Sequence, residues 1–343
     1  MKKLLNTLYV TSDGAYLSLD GENVVVTVEQ EELGRVPLHT IEGIITFGYT
    51  GASPALMGKC ADMNKPIVFL RASGRFLART TGKSNGNIFL RRAQYRLCDN
   101  ADASLHIAGN IISAKLNNSA AVIRRAVSDH ELRLDTGTLG SVTEMLKSNS
   151  IKAFHSADAG ALRGLEGESA NRYFSVFGQL ILQQKEDFTF SSRNRRPPQD
   201  NVNALLSLSY TLLTSMCASA LEAVGLDSYA GFFHTERPGR CSLALDLVEE
   251  LRAPFADRFV LTLINRKMVS GKSFVTKEDG AVLLTDDARR DFLTLWQKKK
   301  QEEITHPYLD TKIEWGLVPH IQAMLLAKYI RGDIDDYPPF VWK

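Results

Sequence analysis

From Leu4 to Arg79 the apolar residues come in short runs rich in Val, Ile, Leu, Tyr and Thr, broken by turn residues. That pattern predicts strands over 4–10, 15–19, 23–28, 35–39, 43–47, 66–70 and 75–79, with one helix over 53–62. Asp20-Gly21 has the composition of a tight turn between the second and third strands. After Gly86 the period changes to 3.6. It predicts helices over 89–97, 102–127, 138–149, 157–185, 201–224, 242–252, 254–270, 285–303 and 312–331. Gly225 is placed to end the helix over 201–224 in left-handed backbone. The expected fold class is therefore α+β: a β-rich domain over 1–84, a linker over 85–100, and a larger all-α domain over 101–343. No repeat of 20–50 residues interrupts this order.

Composition adds exclusions rather than a function. Hydrophobic residues make up 44% of the 343 and charged residues 23%, which excludes disordered and fibrous architectures. Lys+Arg numbers 41 against 39 Asp+Glu, so only local clustering of charge can point to a polyanionic partner. Cys60, Cys98, Cys217 and Cys241 form no CxxC clip and fit free thiols in a reducing compartment. The start Met1-Lys2-Lys3-Leu4-Leu5 is basic and apolar, but Asn6, Thr7, Ser12 and Asp13 break the run. The expectation is no export and a cytoplasmic location. Residues 201–221 carry no charge and could span a bilayer by length. Ser207, Ser209, Thr211, Thr214, Ser215 and Ser219 make a buried central helix the better reading, with no membrane partner. Lys298-Lys299-Lys300 reads as a solvated helix face. Gly82-Lys83-Ser84 and Gly271-Lys272-Ser273 resemble the end of a phosphate-binding loop. Leu77 and Arg266 stand where that loop needs its first glycine, so ordinary turns explain both.

Three segments could carry chemistry. In Arg163-Gly164-Leu165-Glu166-Gly167-Glu168, Glu166 adjoins the apolar face of a helix while Glu168 lies on another side. Gly164 and Gly167 would let a backbone or a ligand come close to Glu166; a surface glutamate with a glycine-mediated packing contact is the competing reading. In the second segment Pro238 and Gly239 place His234 in a loop, and Ser242 can cap the helix that follows. Asp246 and Glu249 share one face of that helix, beside Leu243, Leu247 and Leu251. Imidazole with carboxylates suits Mn²⁺, and carboxylates with water suit Mg²⁺. Acids bridged to Arg240 or Arg252 are the structural alternative. In the third segment Arg193, Arg195 and Arg196 precede Pro197-Pro198 and the uncharged helix. Arg91, Arg92 and Arg96 form a second basic group around Tyr95. Arginine forks and helix-start amides hold phosphates, although a solvated basic loop has the same composition.

Together these stretches resemble one family. Leu165-Glu166-Gly167, the Arg-rich loop running into Asn203-Ala204-Leu205-Leu206-Ser207, and Gly231-Phe232-Phe233-His234 followed by Ser242–Glu250 stand in the order and spacing of the CRISPR-associated spacer-acquisition integrase. That protein is the universal endonuclease of the adaptation module. Tyr9–Leu19 and Phe47–Ser53 look like its type I-C branch. The resemblance covers nearly the whole chain and implies a β-sandwich-like N-terminal dimerisation domain and a helical catalytic domain. It implies Glu166, His234 and Glu249 as metal ligands and as catalytic residues, with Asp246 as the neighbouring catalytic acid. Glu249 stands where some relatives have Asp, a change that keeps the ligand type. Glu168 does not match and is read as structural.

Joining a DNA 3′-OH to a phosphodiester needs an activated oxygen, charge relief at phosphorus and a stabilised leaving oxygen, and a carboxylate- and imidazole-held Mg²⁺ or Mn²⁺ supplies these. Water in place of the 3′-OH gives an endonuclease. Arg193, Arg195, Arg196, Asn203, Arg91 and Arg92 are the expected DNA-binding residues, with the loop arginines making salt-dependent, sequence-independent backbone contacts. The resemblance further implies double-stranded and branched DNA substrates, a homodimer, and a small ferredoxin-like adaptation partner in a hetero-oligomer. Two rival readings share these residues: a repair or recombination nuclease acting on branched DNA, and a non-catalytic nucleic-acid-binding scaffold.

Overall fold

A computed structural model describes residues 6–80, 82, 88–194 and 197–342. The chain divides into two compact units. The first comprises Met1–Asn85, Leu284–Glu303 and Glu314–Leu317, and the second holds the remainder. The strand-rich start and helical remainder are those the hydrophobic pattern predicts.

In the first unit the order is β1 (Thr7–Val10), β2 (Tyr16–Asp20), β3 (Asn23–Val28), β4 (Glu31–Pro37), β5 (Gly43–Phe47), β6 (Gly51–Ala52), α1 (Pro54–Asp62), β7 (Ile67–Leu70) and β8 (Phe76–Arg79). One sheet runs β1-β5-β7-β8 and the other β4-β3-β2-β6. Leu17, Val24 and Val26 of one sheet and Val10, Ile44 and Ile67 of the other share a core with Leu56 and Cys60 of α1. The layering is sandwich-like, with β5 buried at every position and β4 and β8 at the exposed edges. Asp20 pairs with Asn23 across the two-residue loop, where Gly21 has φ +57°. Ser53 caps α1 by accepting from the Leu56 amide at 3.2 Å.

The helix Asp286–Gln301 belongs to this unit, which corrects the boundary drawn for a single domain over 101–343. Arg289 lies over the Phe47 ring, 5.5 Å from its centroid, and donates to the Ala72 carbonyl at 3.0 Å. Lys300 is 1% exposed, pairs with Glu42 and donates to Thr7 Oγ1, so the Lys298–Lys300 run is not wholly a solvated face. A 3.6 period reveals a helix but not which core its apolar stripe joins.

The second unit contains α2 (Ile88–Asp99), α3 (Ala101–His130), α4 (Thr136–Phe154), α5 (Ala159–Phe177), α6 (Asn201–Ala223), α7 (Ser242–Leu251) and α8 (Arg258–Asn265). The helix Asp286–Gln301 of the first unit is α9, and α10 (Val318–Arg331) returns to the second. Residues 88–99 form the helix predicted over 89–97, and it belongs to the second unit. Asn100 caps α3 by accepting from the Ala103 amide at 2.9 Å. α3 packs against α4, α5 and α7. A Cβ at Gly109 would lie 3.0 Å from the Ala153 carbonyl, so glycine sets the α3–α4 approach.

α6 is capped by Asp200, which accepts from the Asn203 amide at 2.7 Å. It ends as expected: Gly225 has φ +89°, its amide donates to Glu222 O, and Leu226 donates to Leu221 O. α6 has the length and apolarity to cross a membrane, but 61% of its most apolar window is buried inside the fold. The continuous helix expected over 254–270 is instead a π-helical segment, Arg252–Asp257, leading into α8. Pro254 has no amide hydrogen to give the Glu250 carbonyl, and Asn118 Nδ2 donates to that carbonyl at 2.7 Å.

Candidate active site

The site is assembled by α3, α5 and α7 with the loop before α7. On α7, Asp246 and Glu249 are both buried, one turn apart. Asp246 is wholly engaged. Oδ2 accepts from the Phe232 and Phe233 amides at 2.7 and 3.0 Å, and Oδ1 accepts from the His234 amide at 2.9 Å. Oδ1 also meets His234 Nδ1 at 2.7 Å. One carboxylate therefore shapes the loop backbone and orients the imidazole, leaving Nε2 as the nitrogen turned to the site. A Cβ on Gly231 would lie 2.9 Å from Asp246 Oδ2 and 2.8 Å from Ser242, so only glycine lets the loop come this close. Ser242 is the first residue of α7, not its cap: its hydroxyl donates to Thr235 O, and the Leu243 and Ala244 amides donate to Ser228 O.

His234 Nε2 lies 3.9 Å from Glu249 Oε1. Glu166 reaches the same place from α5, and Lys115 of α3 joins the two acids. Its ammonium pairs with Glu166 Oε1 and stands 2.7 Å from Glu249 Oε2. That oxygen is buried and has no well-directed hydrogen bond. Arg252 Nη2 holds Glu249 Oε1 at 2.9 Å. Burial pushes the Glu249 carboxyl up, but Arg252, Lys115 and His234 more than reverse this and lower it to about 2. The structure thus brings together Glu166, His234, Glu249 and Asp246. Glu168 is exposed on α5. Among the described residues, a Cβ on Gly164 or Gly167 would meet nothing within 4 Å, so these glycines flank Glu166 with open space instead of a packing contact.

Behind Arg252 lies a second layer. The guanidinium stacks on the Tyr210 ring, 4.7 Å from its centroid, and Arg193 lies 5.2 Å from the same ring. Tyr210 and Tyr173 donate to opposite oxygens of Asp257 at 2.5 and 3.0 Å. Burial raises Asp257 to about 6 against the pull of Tyr210, Arg252 and Tyr173. Arg193 donates to Asn203 Oδ1 at 2.6 Å and Ser207 Oγ at 3.0 Å. Asn203 is 0% exposed and also engages Asn194 N, Ser192 O and Asp200, so it offers no surface to a strand. Arg195 and Arg196 lie outside the described residues. Arg92 and Arg96 are exposed on α2, while Arg91 is half-buried and donates to Gly225 O at 3.3 Å.

Lys115, Tyr210 and Asp257 were not singled out by the sequence, whereas the pairing of Arg252 with an α7 acid is the one the structural alternative named. Lys115 does carry a signal, being the one Lys, Arg, Asp or Glu in the run Ile107–Ile123. A lone charge in an apolar helix needs a buried partner.

The residues gathered here are two carboxylates and an imidazole held by a third carboxylate, a donor set whose chemistry is compatible with a hard divalent cation. The model for the family described as CRISPR associated protein Cas1 matches residues 8–298. The CRISPR-associated endonuclease Cas1 1 of Chlorobaculum tepidum is 48% identical over 343 residues, covering all of both chains. The chain belongs to the Cas1 family. Among solved structures, a casposase bound to integration product superposes with a TM-score of 0.84 at 23% identity, over 98% of this chain and 94% of that one. A chain of a Cas6-RT-Cas1–Cas2 complex gives 0.83 at 22% identity, over all of this chain and 36% of that one. These last two likenesses establish the fold.

Proposed function

We propose that the chain is the metal-dependent DNA endonuclease and integrase of CRISPR adaptation. It joins donor 3′-OH ends to a repeat by transesterification and so acquires new spacers. The observation that carries this reading is the meeting of Glu166, His234 and Glu249 from three separate segments, with Asp246 fixing the imidazole. The endonuclease name of the 48% relative supports it, and the casposase neighbour, bound to integration product, supports integration as the reaction type.

Glu166, His234 and Glu249 are the residues that would hold Mg²⁺ or Mn²⁺. Their donor chemistry fits, and Glu249 Oε2 is a buried oxygen short of a directed partner. Among the described residues no three His, Cys, Asp or Glu side chains already stand at metal-ligand spacing, and Lys115 and Arg252 engage the carboxylate oxygens. Bound there, the ion supplies charge relief at phosphorus and a more acidic oxygen nucleophile. The chain's own residues do the remainder. Asp246 keeps His234 in one orientation, with Nδ1 engaged. Arg252 keeps Glu249 ionised and fixed. The open flank at Gly164 and Gly167 leaves Glu166 room for a DNA strand.

Arg92, Arg195 and Arg196 are the proposed phosphate contacts, with Arg91 at the edge of α2. Arg193 and Asn203 serve DNA binding by holding the loop from within. The type I-C branch, a homodimer, double-stranded and branched DNA substrates, a small ferredoxin-like partner and a cytoplasmic location complete the proposal. One structural neighbour comes from a complex that contains Cas2, which supports a partner of this kind. The test is donor joining to a supercoiled repeat-bearing plasmid in Mg²⁺ or Mn²⁺, with and without the partner. Joining by the wild type that is lost in Glu166→Ala, in His234→Ala and in chelator supports the reading. Joining that survives both substitutions overturns it in favour of a scaffold whose acids are structural.

A further inference from the structure

Lys115 does more than fill space. Its side chain is 8% exposed, and its ammonium joins carboxylates from two helices, Glu166 of α5 and Glu249 of α7. These are the acids assigned above to the metal. Arg252 holds Glu249 as well, so the two acids already face two side-chain cations. A divalent ion on Glu166 and Glu249 would meet the ammonium at contact distance. The two cations cannot hold the same oxygens.

We propose that Lys115 is an exchangeable internal cation, holding Glu166 and Glu249 together when no divalent ion is bound and yielding both acids when one arrives. The inference rests on the metal reading of those acids. Lysine suits the task better than arginine, because its flexible stem carries a single compact charge that can swing without a fixed fork to realign. The exchange keeps the acids from repelling one another in the metal-free protein, at the expense of metal affinity.

The test is Mn²⁺ binding to the purified full-length chain, read from the electron paramagnetic resonance signal of free Mn²⁺. Unfolding temperature is measured in parallel in chelator and in Mn²⁺. Wild type is compared with Lys115→Met, Lys115→Gln, Lys115→Arg and Glu166→Gln. Lys115→Met is expected to bind Mn²⁺ about ten-fold tighter or more, to unfold at lower temperature in chelator, and to recover in Mn²⁺. Lys115→Gln gives the same ordering should the methionine variant not fold. Lys115→Arg is expected to bind no tighter than wild type. Neutral variants that bind Mn²⁺ equally or more weakly, while wild-type binding depends on Glu166, overturn the exchange and leave the metal reading standing. Mn²⁺ binding that is absent throughout, or indifferent to Glu166→Gln, overturns both.

Discussion

Glu250 stands next to Glu249 on α7 but faces the other way, into a fully buried network. Oε1 accepts from the Tyr337 hydroxyl at 2.6 Å, and Oε2 accepts from the Phe340 amide at 2.7 Å and Gln322 Nε2 at 2.9 Å. Burial is the largest influence and raises its pKa from 4.5 to about 7, with the Asp246 charge adding to it. The three donors only partly offset the rise. Because the folded value is raised, folding favours the protonated form. The stability this contributes is complete below pH 4.5 and is lost as pH rises through 7. Between pH 5 and pH 8 the linkage amounts to about 2–3 kcal/mol. Glu250→Gln keeps the shape and a carbonyl acceptor but cannot ionise. The unfolding temperatures of wild type and variant, taken in chelator across that range, are therefore expected to shift relative to one another. The variant gains roughly 3–4 °C on wild type between pH 5 and pH 8, using about 2 cal/mol/K per residue for the unfolding entropy. A gap that stays constant with pH would refute the reasoning, because it would mean that Glu250 does not titrate differently in the folded chain.

Two further substitutions test how the site is held. Gly231→Ala places a methyl 2.9 Å from Asp246 Oδ2 and should displace the His234 loop, with about 100-fold slower donor joining and a lowered unfolding temperature. Wild-type rate and stability in this variant would remove the close approach from the account. Asn203→Ala leaves the Arg193 guanidinium and the Asn194 amide short of a buried acceptor and should cost about 1–3 kcal/mol by denaturant titration. A loss confined to DNA affinity, with stability unchanged, would instead make Asn203 a direct contact.

The sequence carried local structure well where local chemistry decides it. β3 and β5 fall on their predicted bounds, and α6, Asn201–Ala223, matches the helix read over 201–224 with its turn at Gly225; its Asp200 cap was not read. Glu166, His234 and Glu249 stood out as candidates because each sits in a patterned segment (glycines around one, a Pro-Gly loop beside another, a carboxylate pair on a helix face), but the patterns left structural readings open and their proposed roles came from the family resemblance. Less was readable where partners lie far apart in the chain. The charge of Lys115 is plain in the apolar run of α3, but its partners stand 51 and 134 residues later, in segments with their own reading. Arg193 in a basic loop and Asn203 in the first turn of α6 are polar residues and so suggest a surface. Their hydrogen bonds to one another turn them inward. The break before α8 follows from Pro254, whose missing amide hydrogen the helical period does not register. α9 joins the N-terminal strands through contacts distant in sequence, Lys300 with Glu42 and Arg289 with Ala72 and Phe47, which no periodicity encodes.

The central claim is that the cluster around Glu249 processes DNA and is not merely an ion-pair lattice. Glu249→Gln tests it most directly, since the substitution keeps the size of a nearly buried side chain while removing its charge. Donor joining and DNA affinity are measured on the same samples. The account predicts joining reduced by about 10³-fold or more with affinity within a few-fold of wild type. Joining at the wild-type rate would contradict it, and so would a joining defect that merely follows lost DNA affinity.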